Sequence, residues 1–463
     1  MDSESIAVDV VVVGGGPAGV SACLELSRIV PGLKTVLFES ENDLGGIPRS
    51  SYLPFGMRDL KRFYTGAQYA RKLNEQVRRT RVEVHTRSTV FDLRPGEEQG
   101  RHCLYVVSPE GAQRYVCRFL VLATGCCEIP FAARLIPSGR PAGIFTGWQL
   151  QQMVRLFRLK PGKRAVVLGS EDAALSSLMT LREAGVSVAG MIEEDGECQT
   201  YPFLARTMSR CFRIPIYLEA VVKSILGSDR VEGVELMSPR GGTTHLECDT
   251  VIVTGQFRPI SNLLDATPIA RDPATSGPIV DMDLMTFVRD VFAAGNLLRG
   301  GDMHDLCALE GRIVAKSIQR RLDSRRLEED RWVSLRAAPP IRFVVPQKIA
   351  PSRMQSRLFP FLSPGVAIQV AHTVRNVGLE AWSGSTKIWE KSYSRLIANH
   401  RITIPVSQFG WQGDGRDEEI ELRLMPERPS RQCDEEGEGI FLDRGEIMTS
   451  KGDEDDKGIQ ERV

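Results

Sequence analysis

Residues 8–40 read VDVVVVGGGPAGVSACLELSRIVPGLKTVLFES, and the fold class follows from this stretch. VDVVVV at 8–13 is a continuous apolar run that ends in glycine, the pattern of a strand buried on both faces. Residues 17–29 follow as a helix with Val20, Leu24 and Leu26 apolar, and KTVLFE at 34–39 is a second strand. Together they make a βαβ unit of about 30 residues. Gly14, Gly16 and Gly19 match GxGxxG between strand and helix, and Glu39 closes the second strand 25 residues after Gly14. Each residue type has a reason to be there. Gly14 permits a tight turn, Gly16 lets a pyrophosphate approach bare backbone, and Gly19 lets the helix pack on the strand. The helix N-terminus offers free N–H groups and a positive dipole end to phosphate. Glu39 can accept hydrogen bonds from ribose hydroxyls. The competing reading is a tight turn that binds no dinucleotide. It is disfavoured because strand, helix and acidic residue all stand where a nucleotide needs them.

Outward from this unit the same alternation continues. Residues 101–123 read as a β-meander with a PEGA turn, and a second βαβ unit starts at 164 (RAVVLGS) and ends at 192 (SVAGMI). DTVIVTG (249–255) and DVFAAGN (290–296) are apolar strands that end at glycine, and 305–322 is an amphipathic helix. The first 330 residues are therefore α/β, with two Rossmann-like lobes. The composition changes near 325. A charged stretch, 323–331, precedes short strand-like segments separated by turns over 340–425, which predict a small all-β domain, a sandwich. Residues 426–463 are acidic, rich in Gly and Lys and poor in apolar residues. Such a segment cannot offset its ordering entropy, and a disordered acidic tail is expected. The expected divisions are 1–130 plus 260–330 for an FAD-binding domain, 131–259 for an NAD(P)-binding-like domain, then 340–425 and 426–463.

The bulk numbers exclude several classes. The 463 residues carry 59 Lys+Arg and 59 Asp+Glu, so no net charge draws the chain to nucleic acid or to an anionic membrane. No apolar run approaches the roughly 18 residues of a membrane span. The N-terminus has an acidic start and a short apolar run, unlike a signal peptide. The ten cysteines include one adjacent pair, Cys126–Cys127, and no CxxC. That argues against a disulfide framework and against a cysteine-ligated metal or iron–sulfur site. A reducing cytoplasm and no metal are expected.

Three further segments carry a family resemblance. SENDLGG after Glu39 looks like an acidic residue followed by a Gly-Gly pair, LVLATG (120–125) resembles an ATG motif, and TFVRDVFAAGN (286–296) resembles a late motif in which a strand delivers an acidic residue. In that order over about 300 residues they resemble the two-dinucleotide-binding flavoproteins, the pyridine nucleotide–disulfide oxidoreductase fold. RPAGIFTGWQLQ (140–151) and GNLLRGGDMHDL (295–306) resemble two groups within it. One is the FAD subunits of opine, sarcosine and proline dehydrogenases and hydrogen cyanide synthase. The other is the oxidoreductases that accompany glycerol-3-phosphate dehydrogenases. The resemblance implies FAD as cofactor. It implies that Gly14, Gly16, Pro17, Ala18 and Gly19 hold the pyrophosphate, with Glu39 and Ser40 at the adenosine ribose. Gly45 and Gly46 would approach the cofactor, Val90 would lie near adenine, and Thr124 and Gly125 would line the flavin side. Gly295 and Asn296 would sit at the ribityl and pyrophosphate, Asn296 standing where many relatives carry Asp. An amide still donates and accepts hydrogen bonds there.

The second glycine motif is altered. Residues 169–174 read GSEDAA, and Glu193 follows the next strand. Glu171 stands where a second glycine would admit phosphate, and Ala174 replaces the third. A carboxylate at about 4 Å repels phosphate by about 1 kcal/mol even in water. The lobe is expected to keep its fold, with NAD(P)H binding possible but doubtful. His304 and Asp305 follow the late motif, where His304 is a candidate proton carrier oriented by Asp305; the competing reading is a surface-loop histidine. Cys126–Cys127 is a weaker candidate, since adjacent cysteines bridge only with strain and buried free cysteines are common. Arg49, Arg58 and Phe63–Tyr64 are candidates for holding an anionic substrate, against the commoner reading of exposed helix residues. Trp382, Trp389 and Trp411 are read as core or interface residues, and the clustered cysteines of the iron–sulfur module found on several relatives are absent. The leading expectation is a cytoplasmic FAD-dependent oxidoreductase of a small molecule, with a possible second dehydrogenase subunit, no nucleic acid and no membrane span. The alternatives are a stand-alone NAD(P)H-dependent reductase and a non-catalytic FAD-binding subunit.

Overall fold

Strand Ile6–Val13 runs at the centre of a seven-stranded mixed sheet, with Val10, Val11 and Val12 fully buried. It is flanked in parallel by Thr35–Phe38 on one side and Gly111–Leu122 on the other. Glu83–His85 extends the sheet beyond Thr35–Phe38, Val291–Ala293 adds to Gly111–Leu122, and Arg101–Ser108 and Thr89–Glu98 complete the antiparallel meander. Helix α1 (Pro17–Ile29) starts with Pro17 in its first turn, where a missing N–H is harmless. Its buried face, Val20, Ala22, Cys23 and Leu26, packs on this sheet and on a later helix. Truncating Leu26 to Ala would cost about 2–5 kcal/mol. The computed structural model describes residues 5–238, 241–323, 332–350, 365–404, 408–409 and 419–426.

Helix α2 (Gly66–Val77) and helix α3 (Gly147–Arg155) both open on a reciprocal cap, Thr65 with Gln68 and Thr146 with Gln149, which satisfies two otherwise orphan N–H groups. The second lobe is a five-stranded all-parallel sheet in the order Ile144–Thr146, Thr250–Val253, Arg164–Leu168, Ser187–Ile192, Ile216–Tyr217. Helix α4 (Asp172–Glu183) covers it and helix α5 (Pro202–Phe212) follows. A three-stranded antiparallel sheet, Val221–Leu226, Gly233–Met237 and Thr243–Glu247, packs into the same core. The chain then returns to the first lobe. Helix α6 (His304–Asp323) crosses α1 closely at Gly311, where a Cβ would meet the Ala18 carbonyl oxygen at 2.0 Å.

The described residues between 333 and 426 are built largely from strands. The first, Val333–Ala337, begins ahead of residue 340. One sheet runs in the order Lys348–Ile349, Val333–Ala337, Glu419–Pro426, Val374–Ser383, Thr386–Leu396; the other is Ile341–Val345, Val366–Val370, Ile402–Ile404. Their facing side chains, among them Leu335, Ile368, Leu379 and Ile404, share one core. This β-lobe is not separate from the first lobe, because Phe343 and Val345 belong to the first lobe's core and Gln347 exchanges hydrogen bonds with Val280. Trp382 and Trp389 stay within the β-lobe, Trp382 against Arg423 and Trp389 edge-on to Phe409. Most of the charged 323–331 stretch, Trp411 and all of the expected tail after Pro426 lie outside the described residues. Among the described residues no helix is long and apolar enough to cross a membrane, and no His/Cys/Asp/Glu group could hold a metal ion.

Candidate functional site

A cavity of about 440 Å³ opens at the carboxyl end of the first sheet, where Rossmann-type folds place their ligand. Of the residues singled out in the sequence, Gly14, Gly16, Pro17, Ala18, Glu39, Ser40, Gly46, Val90, Thr124, Gly125, Gly295, Asn296 and His304 line it. The glycines divide their work as their spacing predicts. Gly14 has φ +107°, and a Cβ there would meet the Ala123 carbonyl oxygen at 2.3 Å. Gly19 does not line the cavity, since a Cβ on it would lie 2.0 Å from the Gly14 oxygen. A Cβ on Gly16 would meet nothing within 4 Å, so at the head of α1 bare backbone faces open space. That is the cradle a pyrophosphate needs. Gly45 also stands back, with its N–H bound to the Gly15 oxygen and its α-carbon against Ala70.

Glu39 is buried at the cavity wall, 8% exposed, with Oε2 accepting from the Gly15 N–H at 2.8 Å and Oε1 from the Glu41 N–H at 2.8 Å. These bonds fix the carboxylate at the strand end. Glu41 is the other carboxylate on this wall, and the rest of the lining is glycine, apolar or uncharged polar. The sequence reading missed Trp148, Ile260, Asn262 and Cys307 on its wall. Trp148 lies inside the 140–151 segment already singled out; the others had no local signal.

The late loop is held by a buried charge cluster absent from the sequence reading. Glu310, 1% exposed, accepts from the Gly295 N–H at 2.9 Å and from Arg299 Nη2 at 2.5 Å. Arg299 also donates to Asp302 at 2.8 Å, and Arg401 of the β-lobe reaches Asp302 at 2.9 Å and Glu310 at 3.2 Å. Two guanidinium and two carboxylate groups cancel here, each side chain at most 7% exposed. Asp302 lies two residues before α6 and Glu310 in its second turn, at positions no motif spacing marks.

The expected His304–Asp305 pair does not form. Asp305 turns to Arg58, accepting from its N–H at 3.2 Å and its guanidinium at 3.2 Å. That bond ties the 56–62 loop to the first turn of α6, where a carboxylate also suits the helix dipole. His304 is buried with its ring edge-on to Phe55 at 4.8 Å, and burial pulls its pKa down to about 4. It is a neutral imidazole on the cavity wall, not a surface histidine. Arg49 donates to the Asp43 carbonyl and Phe63 is exposed, so neither reaches a cavity; Arg58 does line the second one. Cys126 is buried and Cys127 half-buried, and burial pushes the Cys126 thiol up. A buried thiol held protonated is a poor nucleophile.

The second cavity, about 940 Å³, lies over the carboxyl end of the parallel sheet. It meets the first at Ile47, Cys126, Trp148, Asn296 and His304, which line both. Glu171 caps α4 as Gly16 caps α1. Its carboxylate folds back over the loop: a Cβ on Gly169 would meet Glu171 Oε2 at 2.7 Å, and one on Gly255 its Cδ at 3.0 Å. The space that is open at Gly16 is therefore filled here by the chain's own side chain. Ala174 is fully buried, consistent with helix packing alone. Glu193, 3% exposed, is engaged by the Ser170 hydroxyl, the Asp195 N–H and Gln199 Nε2, so its oxygens are already spoken for. Glu128 adds a third buried carboxyl, its Oε2 accepting from the Trp148 N–H at 2.7 Å. Burial raises the pKa of Glu128 to about 7, and that of Glu171 and Glu193 upward as well. Arg134 donates to the Thr254 and Gly255 carbonyls at 2.6 and 2.9 Å among them.

With this geometry in hand, the sequence profile described as pyridine nucleotide-disulphide oxidoreductase matches residues 8–312. Hydrogen cyanide synthase subunit HcnB of Pseudomonas aeruginosa is 28% identical over 232 residues, 49% of this chain and 46% of that protein. The chain thus spans about half the length of that relative. A ferredoxin–NADP reductase of Ignicoccus hospitalis is 23% identical over 296 residues, 62% of this chain and 90% of that protein. Among solved structures, thioredoxin reductase of T. acidophilum superposes with a TM-score of 0.59 at 20% identity, covering 69% of this chain and 99% of that one. L-proline dehydrogenase from P. horikoshii gives 0.52 at 19% identity, covering 70% and 57%. These two likenesses are of fold.

Proposed function

This chain belongs to the pyridine nucleotide-disulphide oxidoreductase family of FAD-dependent oxidoreductases, and from that premise we propose that it is a dehydrogenase subunit. Its substrate is a small metabolite such as an amino acid, an opine or a glycerol-phosphate-like compound. The electrons pass to a partner subunit or a quinone rather than to NAD(P). The bound FAD supplies the two-electron chemistry. The chain's residues do the rest. The α1 loop from Gly14 to Ala18 and Gly46 hold the pyrophosphate, Glu39 and Ser40 the ribose, Val90 borders the adenine, and Thr124, Gly125, Gly295 and Asn296 flank the flavin half. His304, neutral at working pH, stands where the two cavities meet and excludes water there together with Trp148.

The observation that carries this reading is the Glu171 carboxylate, which fills the loop where a second pyrophosphate would touch backbone. Glu193, hydrogen-bonded within its own chain, supports it. The partial match to a hydrogen cyanide synthase subunit is the support for a partner subunit. A second reading, a stand-alone NAD(P)H-dependent reductase, has its own support in the likeness to nearly the whole length of a ferredoxin–NADP reductase and a thioredoxin reductase. Anaerobic stopped-flow spectroscopy separates them. Bleaching of the flavin colour by a metabolite, with sluggish bleaching by NADH and NADPH, is expected. Rapid, saturable bleaching at micromolar NADH would replace the first reading with the second, and bleaching by none would favour a binding-only subunit.

A further inference from the structure

The second cavity has the wrong charge for a dinucleotide and an unusual excess of buried acid. Glu128, Glu171, Glu193 and Glu194 line it with Arg134 set among them; Arg58, Arg299, Arg342 and Arg401 line it too, Arg58 paired with Asp305 and Arg299 and Arg401 with Asp302 and Glu310. Asp172 and Asp195 stand at its edge, Asp172 accepting from the Thr200 hydroxyl. Glu128 is 6% exposed, yet its Oε1 has no hydrogen-bond partner, and Glu171 Oε1 has none either. A buried acceptor left unmade costs about 1–3 kcal/mol, and more when charged. Two such oxygens in one cavity ask for a donor that the chain does not provide. The wall also carries an apolar stretch: Ile136, Leu168, Ile192, Val222, Val253 and Phe257. A donor that would meet both oxygens and also cover the apolar stretch beside them is an organic cation with a carbon body.

We propose that this cavity is a receptor for an organic ammonium ion, held between the free oxygens of Glu128 and Glu171 with its carbon part against the apolar wall. The proposal rests on the reading that NAD(P)H does not occupy the crevice, and it narrows the substrate class of the enzyme to amines. Glu128 is joined through the Trp148 N–H to a residue that lines both cavities, so an ammonium there lies beside the flavin half of the first. Burial above all, with repulsion of Glu128 by Glu171 and of Glu171 by Glu193 adding to it and Arg134 opposing it, keeps protons on this site when it is empty. A bound ammonium replaces a proton. Binding therefore tightens as pH rises through about 7, where Glu128 ionises, and it releases protons to the buffer.

The test is titration calorimetry on the FAD-loaded protein with n-butylammonium chloride, and with 1-butanol as its uncharged counterpart, at constant ionic strength. Buffers of different ionisation enthalpy read the proton release. The expected result is binding of butylammonium at least about tenfold tighter than butanol, with proton release near neutral pH. Glu128→Gln and Glu171→Gln should each weaken it about tenfold or more while FAD absorbance per protein stays unchanged. Equal affinity for butylammonium and butanol, binding of neither, or undiminished binding in both variants overturns the proposal. The wild-type comparison decides the matter even if a variant fails to fold. NADH is titrated in a parallel arm: NADH binding would defeat the dehydrogenase reading, whereas absent NADH binding with absent ammonium binding would defeat the receptor alone.

Discussion

Replacing Glu128 by Gln is expected to tilt the dependence of stability on pH by about 1.4 kcal/mol per pH unit, and replacing His304 by Asn to tilt it the other way. Burial lifts the Glu128 carboxyl from 4.5 to about 7, against the Trp148 N–H that favours its ionised form. The folded protein therefore keeps a proton that the unfolded chain gives up. The stability this group contributes is complete below about 4.5 and is lost as pH rises through about 7. Burial lowers His304 from 6.5 to about 4, with Asp302 opposing. Here the unfolded chain takes a proton that the folded protein refuses. That contribution is complete above about 6.5 and is lost as pH falls through about 4. Between pH 4.5 and 6.5 the two slopes have opposite sign and similar size, and they largely cancel. Glu128→Gln removes one of them. Measured against wild type, its stability should climb by roughly 3 kcal/mol across that interval, and that of His304→Asn should fall by a similar amount. Urea unfolding at stepped pH reads both. Variant curves that run parallel to wild type would refute the assignment of these shifts to burial in the folded state.

Gly16→Glu should abolish FAD retention, read as absorbance per protein after gel filtration, because it fills the open space beside Gly16 at the head of α1. Unchanged yellow colour would contradict the cradle. Glu310→Ala should lower stability by about 3 kcal/mol, since it strands the Gly295 N–H and leaves Arg299 with Asp302 alone. Glu310→Gln, which keeps an acceptor for Gly295, should recover part of the loss, and a change below about 1 kcal/mol in both would show the cluster to be slack. Glu171→Gly should speed bleaching by NADH, most at low salt, where screening is weakest. An unchanged rate would mean that the carboxylate is not what bars the crevice.

Much of the fold was legible because its signals are local. A buried parallel strand must be apolar on both faces, a dinucleotide turn must be glycine, and both read directly from residues 8–19. Thirteen of the residues singled out line the first cavity for the same reason: they sit at strand ends and helix starts that the motif itself defines. Gly19 and Gly45 serve packing instead, a distinction that spacing cannot make. The His304–Asp305 pairing failed because neighbours at the start of a helix point in different directions, and Arg58, 247 positions away, took the carboxylate. The Arg299–Asp302–Glu310–Arg401 cluster was illegible because its second cation, Arg401, joins the three only when the β-lobe docks, and no motif marks the other three as partners. Glu171 could be read as a blocked phosphate site, but not as a side chain folded onto Gly169 and Gly255, since that depends on the next strand.

The docking of the β-lobe has a mechanical consequence. Arg375 and Arg395 both grasp Glu197 of the second lobe, His400 abuts Tyr201, and the next residue, Arg401, is bolted into the cluster that carries the late loop of the first lobe. A single short arm thus spans the seam between the two dinucleotide lobes and is riveted at both ends. Any swing of one lobe against the other would have to shear a buried guanidinium away from two carboxylates at once. The molecule is braced like a hinge with its pin welded, and traffic to the flavin must enter through a gap between fixed walls.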